Sequence, residues 1–222
     1  MKNRINKLKK PWPTKDAMEQ VYEMHLWGKN SSKFYSGIGS HDPTIIDPYI
    51  AIVSSFLESF KYPIIVCDLG CGDFNVGKNL VNFSQKYIAV DIASNLINHN
   101  KNTFKNEKLE FQCLNIAVDD LPPGDCALIR QVLQHLSNME VKQIIHKLKK
   151  FNYVIVTEHI PDDAFTPNKE IISGQGTRLK KQSGIDLLAP PFNFQVEEKR
   201  KLLEIRSNNS KGVIVTNLYR VF

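Results

Sequence analysis

Residues 66–77 read VCDLGCGDFNVG. This segment places an apolar strand around Asp68, and Gly70 and Gly72 follow in what we predict to be a tight turn. Glycine suits such a turn because the backbone must bend sharply and let a ligand approach without a Cβ atom in the way. The segment therefore predicts a strand that leads into a ligand-binding turn.

The next apolar run supplies an acidic residue at a suitable distance from this turn. It ends in Asp91, about 20 residues beyond Gly70, where a carboxylate accepts hydrogen bonds from the ribose hydroxyls of a bound adenosine. Asp91 also suits a helix N-cap, which is compatible with the ribose contact. A nicotinamide-binding turn is the alternative, but Gly77 is displaced from the third position of GxGxxG. The pattern favours an adenosine ligand of another kind.

Short apolar runs alternate with helical segments around this motif, which predicts a parallel sheet with right-handed crossovers. A hairpin follows, because turn residues lie between two apolar runs. The expected fold is α/β: a Rossmann-like seven-stranded sheet, mostly parallel, with a C-terminal antiparallel hairpin and helices on both faces. We predict strands at 64–68, 87–91, 109–114, 126–132, 153–157, 200–206 and 213–222, helices at 48–60 (N-cap Asp47, then Pro48), 74–83, 94–103 and 139–150, and a hairpin turn at Asn208, Asn209, Ser210, Lys211 and Gly212.

Composition and charge limit the class of protein. The 222 residues, 42% of them hydrophobic, suffice for one domain with a buried core. No apolar run is long enough to span a bilayer, so we expect a soluble, cytoplasmic protein. The net charge of +6 comes mainly from the start of the chain, which we interpret as a basic arm rather than a nucleic-acid footprint. The cations of that arm are Lys2, Arg4, Lys7, Lys9 and Lys10.

The four cysteines form no CxxC pair and have no histidine partner at zinc spacing, so we expect reduced thiols and no metal site. We divide the chain into a basic arm with a cofactor-covering segment (residues 1–43) and a catalytic domain (residues 44–222). Within that domain, residues 161–194 form a long loop. Because a loop of this length inside a compact domain is usually functional, we assign it to substrate selection.

The segment from 64 to 157 resembles the class I S-adenosylmethionine-dependent methyltransferases, whose first motif is an acidic residue, x, Gly, x, Gly after the first strand. The resemblance implies that S-adenosylmethionine is the cofactor and S-adenosylhomocysteine the product. It implies that Gly70 and Gly72 flank the methionine part, with Asp68 beneath the loop, and that Asp91 holds the ribose. By the same resemblance Asn115 and Ile116 lie near the adenine, and Arg130 and Gln131 near the methionine. Asp73, Phe74 and Ile92 complete this set of cofactor-binding residues.

Four fragments look like a bacterial subgroup found among surface-polysaccharide and small-metabolite genes, which implies a capsule-precursor or metabolite substrate. The chain departs from that subgroup at Val76, where an aromatic residue is expected. The fragments are WGKNSSKFYSGIGS, CGDFNVG, YIAVDIA and LPPGDCALIRQVLQHLSN.

The segment from Ser36 to Ser40 is rich in small residues. Backbone N–H groups of Ser36, Gly37 and Gly39 suit a loop that folds over the cofactor carboxylate, although a plain connecting loop is an equal alternative. Trp27 and Tyr35 are candidates to cover the bound substrate, or to be buried aromatic anchors.

His135 follows the fourth strand, and its reference pKa suits a general base near neutral pH, although a lone histidine is more often structural. Glu158 and His159 end the fifth strand and form a second candidate pair, or a pair that orients the loop behind it. Arg178 is a candidate clamp for a phosphate or carboxylate of the substrate, or a solvated surface side chain.

The function expected is transfer of the sulfonium methyl group to an oxygen or nitrogen of a small acceptor such as a sugar, a nucleotide-linked capsule precursor or a phosphorylated metabolite. In-line transfer of this kind needs alignment and at most one base, and no metal. A module that binds S-adenosylmethionine without catalysis and a nicotinamide enzyme remain alternatives. Methylation of rRNA or tRNA is disfavoured, because RQVLQHL replaces the polar residue and Pro-Pro-aromatic run that holds a flipped base. The oligomeric state stays open between monomer and dimer.

Overall fold

The computed structural model describes residues 11–29, 33–206 and 211–222. The basic arm and the hairpin residues Asn208, Asn209 and Ser210 lie outside these ranges. The helices are α1 (Thr14–Glu23), α2 (Pro43–Glu58), α3 (Ser94–Thr103) and α4 (Asn138–Leu148). The strands are β1 (Ile65–Leu69), β2 (Lys86–Asp91), β3 (Leu109–Cys113), β4 (Cys126–Arg130), β5 (Tyr153–Ile160), β6 (Glu198–Arg206) and β7 (Val213–Arg220).

The strands form one seven-stranded sheet in the order β3-β2-β1-β4-β5-β7-β6. The first five strands pair in parallel, whereas β7 runs antiparallel to both β5 and β6. Side chains of alternate strand residues lie in two buried clusters. Residues of α1 and α4 complete one cluster, and residues of α2 and α3 complete the other. The predicted fold class is confirmed.

The strand order indicates where in the sheet a ligand-binding site is expected. The chain turns from β1 outwards to β2 and β3, then returns across β1 to β4. In open sheets of this kind ligands bind outside the carboxyl ends of the strands, at the point where the order reverses. Here that point lies between β1 and β4, directly above the turn that holds Gly70 and Gly72.

The predicted start of the second helix is wrong. The helix begins at Pro43, and Asp42 is its N-cap, because the Asp42 Oδ1 atom accepts a 2.9 Å hydrogen bond from the Thr44 N–H. Pro48 lies inside the helix and removes one backbone hydrogen bond there. Burial of Ile45 and Ile46 in the first turn stabilises the earlier start.

The α-helix predicted at 74–83 is also wrong. Two short 3-10 turns, Gly77–Asn79 and Val81–Phe83, occupy the segment. Asparagine side chains compete for backbone groups there: the Asn79 amide donates to the Asn75 and Val76 carbonyls. Conversely, α1 forms where we predicted no helix, with Met18, Val21 and Tyr22 buried.

None of the helices in the described part of the chain is long and apolar enough to cross a membrane.

Candidate active site

A cavity of about 350 Å³ opens at the carboxyl edge of β1, β2 and β4. This volume lies within the range of sites that hold a ligand of cofactor size. The turn after β1 forms its floor, and residues from α1 and the segment 36–40 contribute to its walls.

The two glycines of the floor have the backbone that the sequence predicts. Gly70 has φ +96° and Gly72 has φ +56°, in the region that disfavours side chains. A Cβ atom on Gly70 would lie 2.3 Å from Val132 Cγ2, and one on Gly72 would lie 2.5 Å from Ser36 Oγ. The Gly70 and Cys71 N–H groups both donate to the Val90 carbonyl, at 2.8 and 2.9 Å. The turn is therefore held against β2 and accepts no larger residue at either position.

Asp91 ends β2 beside this floor. Its Oδ2 atom accepts a 3.0 Å hydrogen bond from the Gly72 N–H, and its Oδ1 atom accepts one of 3.0 Å from the Ala93 N–H. Burial raises the pKa of Asp91, and the two N–H donors oppose that shift. Because a carboxylate has about four acceptor positions, two remain for hydroxyl groups in the cavity.

Asp68 lies beneath the turn that holds Gly70 and Gly72. Tyr87 donates a 3.0 Å hydrogen bond from its hydroxyl to Asp68 Oδ2, and a Cβ atom on Gly77 would lie 2.8 Å from the same oxygen. Burial raises the pKa of Asp68 to about 7. The residue thus joins the floor to the buried cluster that contains Tyr87.

The segment 36–40 is tied to the floor by reciprocal hydrogen bonds. The Ser36 N–H donates to Asp73 Oδ2 at 2.8 Å, and the Asp73 N–H donates to Ser36 Oγ at 2.8 Å. The imidazole of His41 approaches the same Asp73 oxygen, with Nε2 at 2.6 Å. These contacts hold the small-residue segment over the cavity.

Arg130, at the end of β4, is the only lysine or arginine that lines the cavity within the described residues. Its guanidinium lies 5.1 Å above the Tyr49 ring and donates to the Gly39 carbonyl and, at 3.2 Å, to Ser40 Oγ. Burial lowers its pKa. The Arg130 Nε atom is buried without a hydrogen-bond partner, so a donor is available for an anionic group in the cavity.

His135 lines the cavity in the turn after β4 (Leu133–His135). Its Nδ1 atom lies 3.2 Å from the Gly176 carbonyl oxygen, which can only accept, so Nδ1 carries the proton. The Gln134 amide Nε2 lies 3.3 Å from His135 Nε2. Because Gln134 Oε1 accepts from the His159 N–H at 3.1 Å, its amide donates to His135. Burial lowers the pKa of His135 to about 4, so the ring is neutral.

Two buried charged side chains hold this turn from opposite sides. Both Glu158 oxygens accept backbone hydrogen bonds, from Leu133 N–H at 2.9 Å and Gln134 N–H at 3.0 Å. Arg178, only 1% exposed, donates to the Leu133 carbonyl at 2.8 Å and the Leu136 carbonyl at 2.7 Å. Burial raises the pKa of Glu158 to about 8 and lowers that of Arg178. The pair fixes the backbone that carries His135.

Most residues predicted from the sequence meet at the cavity, and five do not. Arg178 and Glu158 contact backbone instead, His159 and Phe74 lie away from the cavity, and Tyr35 stacks on His41. Burial in the aromatic cluster beneath the floor explains Phe74. The predicted residues that line the cavity are Trp27, Ser36, Gly37, Gly39, Asp68, Gly70, Gly72, Asp73, Asp91, Ile92, Asn115, Ile116, Arg130, Gln131 and His135.

Sequence reasoning missed Thr14, Met18, Tyr22, Glu140 and Gln175, which also line the cavity. The apolar spacing of Met18, Val21 and Tyr22 is a helical signal that would have revealed α1. Glu140 is the N3 residue of a capping box with Ser137. Burial acts to raise its pKa, but hydroxyl donors from Ser137, Ser173 and Thr14 outweigh that effect and lower it. The described residues contain no cluster of three or more His, Cys, Asp or Glu side chains suited to a metal.

The sheet order, the glycine floor and the acidic end of β2 are those expected of a class I S-adenosylmethionine-dependent methyltransferase. Residues 66–152 match the family model described as a methyltransferase domain. These residues therefore form a methyltransferase domain, a kind of domain whose cofactor is S-adenosylmethionine. No curated protein sequence matches it.

Solved structures share the fold. The N-methyltransferase NodS of Bradyrhizobium japonicum, in complex with S-adenosyl-L-homocysteine, has a TM-score of 0.66 at 11% identity, covering 93% of this chain and 99% of that chain. A SAM-dependent methyltransferase of Leishmania major has a TM-score of 0.62 at 15% identity, covering 93% and 86%.

The 1,6-didemethyltoxoflavin-N1-methyltransferase of Burkholderia thailandensis, with its substrate and S-adenosylhomocysteine bound, has a TM-score of 0.61 at 13% identity, covering 97% and 94%. At these identities the likeness shows the fold.

Proposed function

We propose that the protein transfers the methyl group of S-adenosylmethionine to a small-molecule acceptor held beside His135. The observation that carries this proposal is the arrangement of Gly70, Gly72 and Asp91 around one cavity, with two acceptor positions of Asp91 still available. When bound, the cofactor supplies an electrophilic methyl group, and the protein supplies alignment.

We assign each part of the cofactor to residues of the floor and walls. The two glycines hold the methionine part, and Asp91 accepts hydrogen bonds from the ribose hydroxyls. Asn115 and Ile116, just beyond β3, flank the adenine. These residues form what we call the cofactor half of the cavity.

Arg130 completes the cofactor half. Its guanidinium carries the unpaired Nε donor and lies at the end of β4, beside Gly39. A cofactor carboxylate would accept that hydrogen bond, and charge-assisted bonds of this kind are stronger than neutral ones. We therefore assign the methionine carboxylate to Arg130.

Five further lining residues form what we call the acceptor half: Trp27, Gln134, His135, Gln175 and Thr177. These side chains are polar or aromatic and carry no charge. Arg178, the candidate clamp for a phosphate or carboxylate of the substrate, donates to backbone carbonyls outside the cavity. We therefore propose an acceptor without a phosphate group near the reacting atom, such as a sugar derivative or another small metabolite.

Calorimetry on the variant Arg130→Met tests the assignment of the carboxylate. Affinity for S-adenosylhomocysteine should fall about 10–100-fold, because a hydrogen bond to a charged group contributes about 1.5–3 kcal/mol. Affinity for 5′-methylthioadenosine, which lacks the amino-acid part, should stay unchanged.

Arg200→Met, at an exposed position of β6, is the matched control and should bind both compounds as the wild type does. Equal losses for the two compounds in Arg130→Met would place the guanidinium elsewhere and contradict the assignment.

A further inference from the structure

We propose that the atom methylated is a nitrogen that reacts through its own lone pair, an amine or a neutral ring nitrogen, rather than an alcohol oxygen. The inference rests on the proposed function and narrows it. It follows from the hydrogen bonds of the carboxylate and imidazole groups that line the cavity within the described residues. Each of these groups is bonded to other protein groups or belongs to the cofactor half.

The carboxylates near the acceptor half are saturated with donors. Asp73 accepts from the Ser36 N–H and contacts His41. Glu140 accepts from the Thr14, Ser137 and Ser173 hydroxyls. Breaking these contacts to remove a proton from an acceptor would leave buried hydroxyls unpaired, at a cost of about 1–3 kcal/mol for each one.

The other two carboxylates belong to the cofactor half. Asp91 accepts from Gly72 and Ala93, and its remaining positions face the proposed ribose. Asp68 lies beneath the floor, bonded to the Tyr87 hydroxyl. The recorded hydrogen bonds of both carboxyl groups therefore lie within the floor and the end of β2.

His135 is the remaining candidate base, and its two nitrogens are both occupied. Nδ1–H donates to the Gly176 carbonyl at 3.2 Å, and Nε2 receives the Gln134 amide at 3.3 Å. The backbone N–H of His159 fixes that amide through Gln134 Oε1. A third hydrogen bond, from the Gly174 N–H to the His135 carbonyl at 3.0 Å, holds the residue in place. His135 is therefore built to orient an acceptor rather than to take its proton.

The two kinds of acceptor differ in their need for a base. An alcohol oxygen must lose its proton as the new carbon–oxygen bond forms, and a positioned base assists that loss. A neutral nitrogen needs no such help: its lone pair forms the carbon–nitrogen bond, the carbon–sulfur bond breaks, and sulfur keeps the bonding pair. An aliphatic amine is protonated near neutral pH, so it reacts only after it has lost that proton to water and bound as the free base. The positive charge moves from sulfur to nitrogen, and the extra proton leaves to water after release.

The charge of the cavity supports the same conclusion independently. Asp73, Asp91 and Glu140 line it against the single guanidinium of Arg130, and Asp68 is left out of this balance because burial raises its pKa to about 7. An electronegative site stabilises a positive charge that develops on nitrogen and disfavours an anionic acceptor. The arrangement fits an amine or ring nitrogen in a molecule without a phosphate or carboxylate at the reacting end.

Isotope labelling identifies the methylated atom even while the acceptor itself is unidentified. The wild-type protein is incubated with S-adenosylmethionine labelled with ¹³C at the methyl group and with the low-molecular-weight fraction of an extract of the source cells. The methyl carbon of each product is then observed by NMR, where N-methyl and O-methyl carbons resonate in separate regions. We expect an N-methyl signal, and an O-methyl signal would overturn the inference.

A parallel binding measurement separates failure of the inference from failure of the proposed function. If S-adenosylhomocysteine binds and no labelled methyl group is transferred, the proposed function is wrong and the inference falls with it. If transfer occurs to oxygen, the proposed function stands and only the inference fails.

A second readout does not depend on turnover. The imidazole of His135 is observed by ¹⁵N NMR and assigned by comparison with His135→Gln. We expect a neutral ring with the proton on Nδ1 at pH 7 in the complex with S-adenosylhomocysteine. A ring that titrates near neutral pH would supply the missing base and overturn the inference.

Discussion

The two halves of the cavity are built in different ways. The cofactor half consists of residues that end or directly follow parallel strands, and backbone hydrogen bonds between β1 and β2 fix them. The acceptor half depends on a turn whose backbone is held by Glu158 of β5 and by Arg178 of the long loop. One half is thus a product of local sheet geometry, and the other depends on contacts between distant parts of the chain.

This difference separates binding of the cofactor from choice of the acceptor. The floor made by Gly70 and Gly72 needs only β1, β2 and their turn. The position of His135 needs the loop as well, since Gly174 and Gly176 both contact that residue. Changes in the loop should therefore alter the acceptor half and leave cofactor affinity nearly intact.

The largest effect expected from this comparison is on stability, in Arg178→Met. Loss of the guanidinium leaves the buried carbonyls of Leu133 and Leu136 without their hydrogen-bond donor. A buried acceptor left unpaired costs about 1–3 kcal/mol, so two of them cost about 2–6 kcal/mol. The free energy of unfolding, measured with urea, should fall by about this amount.

The exposed neighbour Lys180 provides the control, and Lys180→Met should unfold like the wild type. Affinity of folded Arg178→Met for S-adenosylhomocysteine should stay within a few-fold of the wild-type value. A loss of cofactor affinity as large as the loss of stability would show that the two halves are not independent.

A smaller effect is expected from pH. Burial holds the folded-state pKa of His135 at about 4, below its usual value of about 6.5. Between these values the unfolded chain binds more protons than the folded one, so the contribution of His135 to stability falls as pH is lowered from 6.5 towards 4. The slope cannot exceed about 1.4 kcal/mol per pH unit for one group.

Urea unfolding of the wild type and of His135→Gln at pH 7 and pH 5.5 isolates this contribution. Asp68 and Glu158, whose pKa values burial raises, have the opposite pH dependence in both proteins and cancel in the difference. The wild type should lose more stability on acidification than His135→Gln. Identical pH dependence in the two proteins would show that His135 is not held neutral by burial.

The same contrast explains what the sequence could predict. The strand, the glycine turn and Asp91 lie within one strand–turn–strand unit, where spacing alone places the side chains. α3 was predicted with its observed bounds, and the antiparallel pairing of the C-terminal hairpin is confirmed. Local pattern was sufficient for these elements, but not for the start of α2 or for the segment 74–83.

Prediction failed where the partner was remote. Nothing near Arg178 in the sequence indicates that its guanidinium meets carbonyls 42 and 45 residues away. The segment 74–83 has apolar spacing suited to a helix, yet Asn75 donates its side-chain amide to the Ser40 carbonyl instead. The roles of individual side chains at the cavity remain predictions, because they depend on contacts with a ligand.

Calorimetric titration with S-adenosylhomocysteine tests the central claim. This claim is that the glycine turn of Gly70 and Gly72 and the carboxylate of Asp91 form a binding site for adenosine. The wild type should bind this compound and not NAD. Asp91→Asn should bind it about 10–100-fold more weakly, because hydrogen bonds to a charged group contribute about 1.5–3 kcal/mol. Asp120→Asn, which changes an exposed carboxylate, should bind like the wild type. Absence of binding to the wild type, or equal affinity in Asp91→Asn, would contradict the account.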